Sequence, residues 1–411
     1  MNFFRVLSIY FFSLVLNPSM LFGDLFLSTD YLSESPIIPL SASSDREDKL
    51  TVISPVTETS GTIFKQDNSD ADDPAIYVNP QDLAKSFVIA TFKKGGLGVF
   101  DLAGKEIQSI TPKDIRYNNV DIVYGVEYQS QIAGEKVKVD LAIASDRIND
   151  TIAVFAIDPN YGVGAFPLVE AFHETPLQDV SVTSIPKSIF GVDDEEATAY
   201  GLTAYTDAEN GKAYVFVSQS DGNKIAQLEL QPRFGAADNL KVGAKLIRTF
   251  ELPIPEGIKP EEAFVEGMVV DKETGILYLA QEKYGIWRMD ADPSKDINLT
   301  IVDLVTDYQS DSPLVADIEG LTIYYGNEGQ KYLMASSQGD STFAVYDLLD
   351  NNSHWGSFAI AGVKQTDGLD VTNITLGEAY PQGLLVVQDG VNQPKPNFKF
   401  INPTEIFPPN P

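Results

Sequence analysis

The stretch Asp72-Asp73-Pro74-Ala75-Ile76-Tyr77-Val78 places two acidic residues directly before an apolar run. A shorter form of this pattern, an acidic or hydroxylated residue followed by an apolar strand, returns five more times. The recurrences are Asp121-Ile122-Val123, Tyr200-Gly201-Leu202, Glu266-Gly267-Met268, Glu319-Gly320-Leu321 and Asp367-Gly368-Leu369. An internal repeat of this kind is typical of a fold built from equivalent supersecondary units.

Each of these starts opens a group of three short β-rich runs, which Gly, Asn, Asp or Lys turns separate. Amphipathic helical patterns are scarce, and this disfavours folds in which strands alternate with helices. Six such groups, at intervals of roughly fifty to eighty residues, predict an all-β protein with the architecture of a six-bladed β-propeller. A two-sheet sandwich is the alternative, but the near-equivalence of the groups favours radial repetition.

The N-terminal region has the pattern of an exported protein. Residues 1–22 contain one positive charge and then an apolar run that ends at Asn17-Pro18, as in a secretory signal peptide. Retention of this segment as an uncleaved anchor is the alternative. Residues 23–50 are rich in Ser, Asp and Pro, which predicts a flexible linker, and we assign residues 51–411 to the propeller. We expect a secreted or periplasmic protein, with no further contact with the membrane after the signal is removed.

The first residues of the assigned domain predict how the ring closes. The segment 50–64 alternates loosely between apolar and polar residues, as a strand does. We expect this strand to complete the last blade and close the ring.

Composition excludes several classes of function. The chain of 411 residues has 59 acidic and 29 basic residues and a formal charge of -30, which excludes a nucleic-acid partner. It has no cysteine, so disulfides, thiolate nucleophiles and zinc-thiolate sites are excluded. Its two histidines, His173 and His354, are too few for an imidazole-rich metal centre, and we expect both to be structural or exposed. Carboxylates remain, and their oxygens suit Ca²⁺, Mg²⁺ or Mn²⁺.

The repeated starts predict where these carboxylates meet. In a propeller the first strand of each blade lies nearest the axis, so residues at its start line one mouth of the central channel. Five carboxylates would repel one another by several kcal/mol unless cations neutralise them, and calcium accepts six to eight oxygens in loose geometry. Taken singly, each acidic-Gly pair is more simply a turn. The residues predicted to face one another are Asp73, Asp121, Tyr200, Glu266, Glu319 and Asp367.

Further charged residues lie at the same predicted level. Asp317 and Glu319 fall on one side of an extended chain, where both could bind one ion. The other added acids are Asp72, Asp370 and Glu282. Basic residues also follow two second strands, at Lys93, Lys94 and Arg147. Such cations at the rim indicate an anionic substrate, most simply a phosphate, although a Lys-Lys-Gly-Gly turn alone is usually solvated surface.

The same residues resemble a known family. Asp70-Ala71-Asp72-Asp73-Pro74-Ala75-Ile76-Tyr77 and Asn118-Asn119-Val120-Asp121-Ile122 resemble the two signature motifs of the β-propeller phytases, calcium-dependent enzymes that remove phosphates from inositol hexakisphosphate. The agreement continues in Lys93-Lys94-Gly95-Gly96-Leu97, Glu266-Gly267-Met268, Asp317-Ile318-Glu319-Gly320-Leu321 and Tyr380-Pro381-Gln382-Gly383-Leu384. It extends from about residue 60 to about residue 406.

The resemblance implies a mechanism and a set of ligands. Clustered calcium ions hold one phosphate for attack by a metal-bridging water, while a neighbouring site holds an adjacent phosphate of the same ring. We expect a monomeric enzyme that takes phytate, as its calcium complex, with Asp73, Glu266, Asp317 and Glu319 in catalysis. Lys93, Lys94, Arg147 and Tyr200 would bind substrate. The expected metal ligands are Asp72, Asp73, Asp121, Glu266, Glu282, Asp317, Glu319, Asp367, Asp389 and Asn392.

Two departures from the family pattern keep alternatives open. Ser220 stands where the family usually has a lysine, which predicts a weaker second phosphate site. The loop before Asp367 is short and lacks an acid that would help a structural calcium ion near Asp389 and Asn392. One alternative is a non-catalytic propeller that binds inositol phosphates. The other is a calcium-dependent propeller lactonase or esterase, which would have no use for the basic rim.

Overall fold

A computed structural model describes residues 50–63, 69–129, 136–160, 177–183, 188–191, 197–234, 240–326 and 329–407. Residues 50 to 411 cluster as one compact unit. The predicted signal peptide, His173 and all but the last residue of the predicted linker lie outside the described residues.

Six β-sheet blades form the fold, so the predicted six-bladed propeller is confirmed. Two short strands come first, β1 (Thr51–Ile53) and β2 (Thr57–Glu58). Blade one is β3 (Pro74–Tyr77), β4 (Phe87–Phe92), β5 (Gly96–Asp101) and β6 (Glu106–Ile110). Blade two is β7 (Tyr117–Gln129), β8 (Lys136–Asp146), β9 (Thr151–Ile157) and β10 (Leu177–Thr183). Blade three is β11 (Ala199–Thr206), β12 (Ala213–Gln219), β13 (Lys224–Phe234) and β14 (Leu240–Glu251).

The remaining blades follow the same plan. Blade four is β15 (Val265–Asp271), β16 (Ile276–Gln281), β17 (Gly285–Asp290) and β18 (Thr300–Leu304). Blade five is β19 (Ile318–Tyr325), β20 (Lys331–Ser337), β21 (Thr342–Asp347) and β22 (Ser353–Ile360). Blade six is β23 (Leu369–Thr372), β24 (Leu384–Asp389) and β25 (Asn397–Ile401). Within the described ranges, no helix is both long and apolar enough to cross a membrane.

Most blades have a fourth, outer strand that the predicted groups of three runs do not include. The inner strands are almost fully buried, as in β4 and β12, so they form continuous apolar runs. The outer strands are partly exposed, as in β6, and their residues mix polar and apolar types. Groups of three runs therefore identified the blades but not their outer edges.

The N-terminal segment closes the ring through β2, as predicted, and β1 adds a strand to a second blade. Strand β2 pairs antiparallel with β25 and gives blade six its fourth strand. Strand β1 pairs in parallel with β22 and adds a fifth strand to blade five. The outer strands of blades two and three, β10 and β14, also pair in parallel. These pairings cover strand edges that would otherwise present free backbone groups.

The inner strands approach one another so closely that only glycine fits at the contact. A Cβ atom built on Gly201 would lie 2.2 Å from the carbonyl oxygen of Glu266 in the next blade. A Cβ atom on Gly267 would lie 2.1 Å from the carbonyl oxygen of Glu319. The recurring acidic-Gly pair therefore has a structural cause, because each glycine accepts the backbone of the acid in the following blade.

We predict that Gly267→Ala destabilises the ring, because its methyl group would overlap a backbone oxygen that cannot move without its blade. The expected loss in the free energy of unfolding is about 1–3 kcal/mol. Gly356→Ala is the matched control, since no heavy atom lies within 4 Å of the added Cβ. Urea denaturation of the two variants checks this, and equal stabilities would contradict the close contact.

Candidate active site

Four inner strands break their register at the same height, and this break aims a side chain at the axis. The irregularities lie between Tyr117 and Val120, Ala199 and Leu202, Val265 and Met268, and Ile318 and Leu321. A β-bulge of this kind redirects the residue that it inserts. The first inserted residues are Asn118, Tyr200, Glu266 and Glu319, and their side chains meet.

Asn118, rather than Asp121, is therefore the residue of blade two whose side chain reaches Glu266, whereas the Asp121 carboxylate lies against blade three. The Asp121 carboxylate accepts hydrogen bonds from the Ala204 backbone N–H at 2.8 Å and from the Thr203 hydroxyl at 2.9 Å. Asp370 makes the corresponding bond to the Ile76 N–H at 2.8 Å. Both carboxylates fasten neighbouring blades below the mouth. The repeat of an acid before a strand points to Asp121 because it takes no account of the bulge, which inserts extra residues between Tyr117 and Val120.

Glu266, Glu282 and Glu319 form the centre of the site. These buried residues offer carboxylate oxygens that all lie within 4.8 Å of one another. Asn118 Nδ2 donates to Glu266 Oε1 at 2.9 Å, and the Tyr200 hydroxyl donates to Glu266 and, at 3.3 Å, to Glu282. Burial, followed by the charges of the neighbouring carboxylates, raises the pKa of Glu282 and of Glu319 well above the ordinary value.

Asp72 and Asp367 extend this cluster across blades one and six. Lys93 Nζ lies 3.2 Å from Asp72 Oδ1 and 3.9 Å from Asp367 Oδ2. Burial raises the pKa of Asp72 to about 6, although the Lys93 charge acts in the opposite direction. The side-chain amide of Gln338 donates to Asp367 Oδ1 at 2.7 Å and fixes that carboxylate.

Asp73 and Asp317 flank the cluster in different ways. The Val120 N–H donates to Asp73 Oδ2 at 3.0 Å, so one oxygen of this predicted ligand is already occupied by blade two. Asp317 is partly buried, and burial raises its pKa while Lys283 lowers it and Glu266 raises it. Asp73 is thus partly structural, whereas Asp317 shares with Glu319 the neighbouring charge of Glu266. The residues Asp72, Glu266, Glu282, Asp317, Glu319 and Asp367 are called the carboxylate mouth below.

Two buried oxygens show that the carboxylate mouth fits a bound cation. In the described part of the chain, Asp72 Oδ2 and Glu319 Oε2 are buried without a hydrogen-bond partner. A buried acceptor without a partner costs about 1–3 kcal/mol, and more when it is charged. Carboxylate oxygens in this number are the ligand set of a hard divalent cation. The site can therefore hold metal ions.

The predicted basic residues surround this mouth unequally. Lys93 is paired with Asp72 and Asp367, whereas Lys94 is exposed. The guanidinium carbon of Arg147 lies 4.7 Å from the centre of the Tyr200 ring. Tyr200, predicted to bind substrate, also holds two carboxylates of the mouth in place. His354 is exposed on β22, with Nε2 3.0 Å from the Ser357 hydroxyl, as expected for a histidine without a catalytic role.

Asp389 and Asn392, predicted to hold a structural calcium ion, bind a lysine of this chain. Lys399 Nζ lies 3.4 Å from Asp389 Oδ2 and donates to Asn392 Oδ1 at 3.0 Å. It also pairs with Glu58 of strand β2. The ammonium group of Lys399 supplies a positive charge between Asp389 and Glu58, and a structural calcium ion at this position stays a prediction. The short loop before Asp367 brings no additional acid to balance a second charge.

Sequence reasoning missed Arg116, a basic residue whose pKa the charges of Asp72 and Glu266 influence. Arg116 lies opposite Arg147 across the first two strands of blade two, where the Arg147 N–H donates to the Arg116 carbonyl at 2.9 Å. No recurring pattern marks Arg116, because the residues that precede the corresponding register breaks in blades three, four and five are Thr198, Phe264 and Asp317. The pairing of β7 with β8 would have identified it, since a known register places Arg116 beside Arg147.

Two comparisons with known proteins, one with a family model and one with a curated relative, give the same family. Residues 27–404 match the model of the family described as phytase. The chain is 35% identical over 354 residues to 3-phytase of Bacillus subtilis (strain 168), and the match covers 82% of this chain and 80% of that protein. The β-propeller domain of Cps50 (Swd1) from Myceliophteria thermophila has a TM-score of 0.41 and 9% identity, over 85% of this chain and 99% of that one. A TM-score of that size supports no inference about function.

The raised pKa values predict how pH changes the stability of the chelated protein. A carboxyl whose pKa is higher in the folded protein opposes folding once it is ionised. Stability should therefore fall as pH rises from the unfolded value of about 4 through the folded value, which is about 6 for Asp72. We expect the melting temperature to fall from about pH 5 to about pH 8, and Glu319→Gln to reduce the fall. Glu261→Gln, on an exposed residue, is the control.

A melting temperature of the chelated wild type that stayed constant over this range would contradict the carboxylate mouth as a source of repulsion. Calcium should reverse the trend, because bound cations favour the ionised ligands.

We predict that Lys399→Met loosens ring closure, because it leaves Asp389 buried without a counter-charge. Removal of one partner of a buried ion pair costs about 3–5 kcal/mol. Lys212→Met breaks the exposed pair with Glu229 and should cost at most about 1 kcal/mol. Chemical denaturation measures both variants, and equal losses would show that the Lys399 contacts do not stabilise the ring.

Proposed function

The chain belongs to the phytase family, and from that premise we propose that it releases phosphate from phytate with calcium ions bound at the carboxylate mouth. The observation that carries the calcium proposal is the buried carboxylate cluster of Glu266, Glu282 and Glu319. One oxygen of Glu319 and one of Asp72 are buried without a hydrogen-bond partner in the described protein, so both are available to a cation.

The carboxylate mouth would hold the metal, and the chain keeps its ligands in position. Tyr200 and Asn118 donate hydrogen bonds to Glu266, so its carboxylate cannot rotate freely. Gln338 fixes Asp367 in the same way. Bound calcium supplies positive charge that neutralises phosphoryl oxygens and lowers the pKa of the attacking water.

The basic rim would bind and orient the substrate. Lys93 reaches between Asp72 and Asp367, so its ammonium can contact a phosphate oxygen beside the ligands. Arg147 lies over Tyr200 and presents planar donors that suit phosphate oxygens. Lys94 is exposed and can reach a second phosphate. These three basic side chains would bind the substrate and stabilise the phosphoryl group during its transfer. No covalent enzyme intermediate is required.

Charge explains why cations must accompany this substrate. The protein has a formal charge of -30, and phytate is itself a polyanion. Without bound cations the long-range field would repel the substrate. Calcium at the carboxylate mouth, together with the rim, reverses the sign of the local field. Calcium dependence would therefore follow from the excess of acidic residues.

A propeller that binds inositol phosphates without turnover is the second candidate, and one observation favours it. Ser220 is buried and its hydroxyl accepts from the Thr198 N–H at 3.4 Å, so it contributes no charge to a phosphate site. Turnover distinguishes the two candidates, because both would bind the same anion.

We predict that the protein releases phosphate from phytate with calcium and loses this activity with a chelator, because the carboxylate mouth alone repels the substrate. Glu319→Gln should lower kcat by at least about a hundredfold, as expected for a lost electrostatic contact to the reacting group. Lys94→Ala should mainly raise KM, whereas Lys105→Ala, exposed in the turn between β5 and β6, should change neither constant. Release of phosphate from phytate and from a simple monoester is measured by colorimetric assay.

Absence of phosphate release from phytate at saturating calcium would reject the catalytic proposal in favour of the binding propeller. Wild-type turnover by Glu319→Gln would instead reject the assignment of the carboxylate mouth.

A further inference from the structure

One position recurs in the second strand of every blade, close to the end that adjoins the carboxylate mouth. It is the last residue but one of that strand, and it always pairs with the second residue of the third strand. In blade four this residue is Ala280, whereas in the other five blades it is polar and buried. The five polar residues, called the bridge residues below, are Thr91, Ser145, Ser218, Ser336 and Gln388.

The bridge residues interrupt strands that are otherwise apolar. In β4 the four residues before Thr91 are Phe, Val, Ile and Ala, and in β24 the four before Gln388 are Leu and Val. Burial of a hydroxyl or amide is unfavourable unless the group forms hydrogen bonds. Packing alone would be served by an apolar side chain, as it is by Ala280 in blade four. Five polar residues at one height therefore indicate that their hydrogen bonds have a function.

Each bridge residue donates a hydrogen bond to the next blade around the ring. Ser218, for example, donates to the backbone carbonyl of Val265, which directly precedes Glu266. The other four pairs, donor first, are Thr91 with Asn118, Ser145 with Tyr200, Ser336 with Thr366 and Gln388 with Ala71. Every accepting carbonyl thus belongs either to a residue whose side chain enters the mouth or to the residue directly before one.

Bridge residues also accept hydrogen bonds from the inner strand of their own blade. The Gly201 N–H donates to the Ser218 hydroxyl at 2.8 Å. Three further N–H groups make the same bond at 3.0–3.1 Å, those of Asp73 to Thr91, Asn119 to Ser145 and Asp367 to Gln388. One buried side chain therefore connects the backbones of two neighbouring inner strands.

The junction that has no bridge residue is closed by the backbone. Ala280 cannot donate from its side chain, and here the Ile318 N–H of blade five donates to the Glu282 carbonyl of blade four at 3.0 Å. Hydrogen bonds consequently cross all six blade boundaries at the level of the mouth. The ring of inner strands is held together there by direct contacts as well as by packing.

The carboxylate mouth needs such a restraint. Carboxylate oxygens of Glu266, Glu282 and Glu319 lie within 4.8 Å of one another, and ionised groups at that distance repel. Repulsion would move the inner strands apart, whereas a metal site tolerates only about 0.2 Å of error in its ligand distances. Hydrogen bonds between the strands oppose this displacement at the residues that carry the ligands.

We propose that the bridge residues are positioning residues of the calcium site, each of which fixes the start of the next inner strand so that its side chain keeps its place in the carboxylate mouth. This inference rests on the proposed function, because it assigns the support of that same site. Ser218 acts on Glu266 through the backbone. Gln388 also acts directly, since its amide lies 3.3 Å from Asp367 Oδ2 and donates to it.

The first test removes one bridge. Ser218→Ala should raise the dissociation constant for calcium by about 10–100-fold, as is typical when a group that supports metal ligands is lost. Ser86→Ala is the matched control and should leave calcium affinity unchanged. Ser86 is also buried, and its hydroxyl accepts from the Asn79 N–H at 3.0 Å, but it lies at the opposite end of a second strand, before β4. Calorimetric titration of calcium into the chelated variants measures both constants.

The second test separates the hydroxyl group from packing. Thr91→Val keeps the shape of the side chain and removes the hydroxyl, whereas Thr91→Ser keeps the hydroxyl and removes a methyl group. We expect calcium affinity and kcat for phytate to stay within about threefold of the wild type in Thr91→Ser and to fall by about tenfold or more in Thr91→Val. A residue that served only packing would give the opposite order, because Thr91→Ser leaves a cavity. That order would contradict the proposal.

The third test uses neither calcium nor activity. In chelated Ser218→Ala the Gly201 N–H loses its acceptor and Val265 loses its donor, so strands β11 and β15 should exchange amide hydrogens faster than in the wild type. Ser86→Ala should leave exchange in both strands unchanged. Hydrogen–deuterium exchange followed by mass spectrometry of peptides from β11 and β15 measures this.

Equal calcium affinity in Ser218→Ala and Ser86→Ala, or unchanged exchange of β11 and β15 in Ser218→Ala, would overturn the role of the bridge residues. If the wild type binds no calcium, the proposed function fails, and the exchange comparison alone decides whether the bridge residues hold the carboxylate mouth.

Discussion

Crowding of the inner strands around the axis is the constraint on which the rest of the structure depends. Six strands must converge, and their backbones meet so closely that Gly201 and Gly267 have no room for a Cβ atom. At each contact a bulge points the side chain of the residue before the glycine, Tyr200 or Glu266, towards the mouth. The same feature that lets the blades pack therefore forces Glu266 and Glu319 to face each other. Fold and site have one geometric origin.

The protein deals with its buried negative charge in two ways. Near the ring closure Lys399 supplies an internal cation to Asp389 and Glu58. At the carboxylate mouth Lys93 forms ion pairs with Asp72 and Asp367. Tyr200 and Asn118 orient Glu266 but bring no positive charge. The Lys399 cluster stabilises the fold. The carboxylate mouth keeps an excess of negative charge, which is unfavourable without a bound cation, and such an excess is typical of binding sites.

The sequence predicted those features that repeat. Glu266 and Glu319 were identified because the acid-Gly pair recurs wherever the axis crowds the backbone. Asn118 was missed because the bulge at this residue changes the register without changing the local pattern. Arg116 and Lys399 could not be found in this way, since each acts through a partner that is distant in the chain or on the opposing strand, and neither position recurs between blades. Periodicity thus identifies the scaffold and its mouth, whereas single cross-strand contacts require coordinates.

If the carboxylate mouth binds calcium as proposed, its protonated carboxyl groups must lose protons when the ion binds. Calorimetric titration of calcium into the chelated protein, in two buffers of different ionisation enthalpy, measures the protons released on binding. We expect saturable binding with proton release near about pH 6, a smaller release near about pH 9, and weaker binding by Glu319→Gln. Calcium binding without release of protons, or with equal affinity in Glu319→Gln, would contradict it.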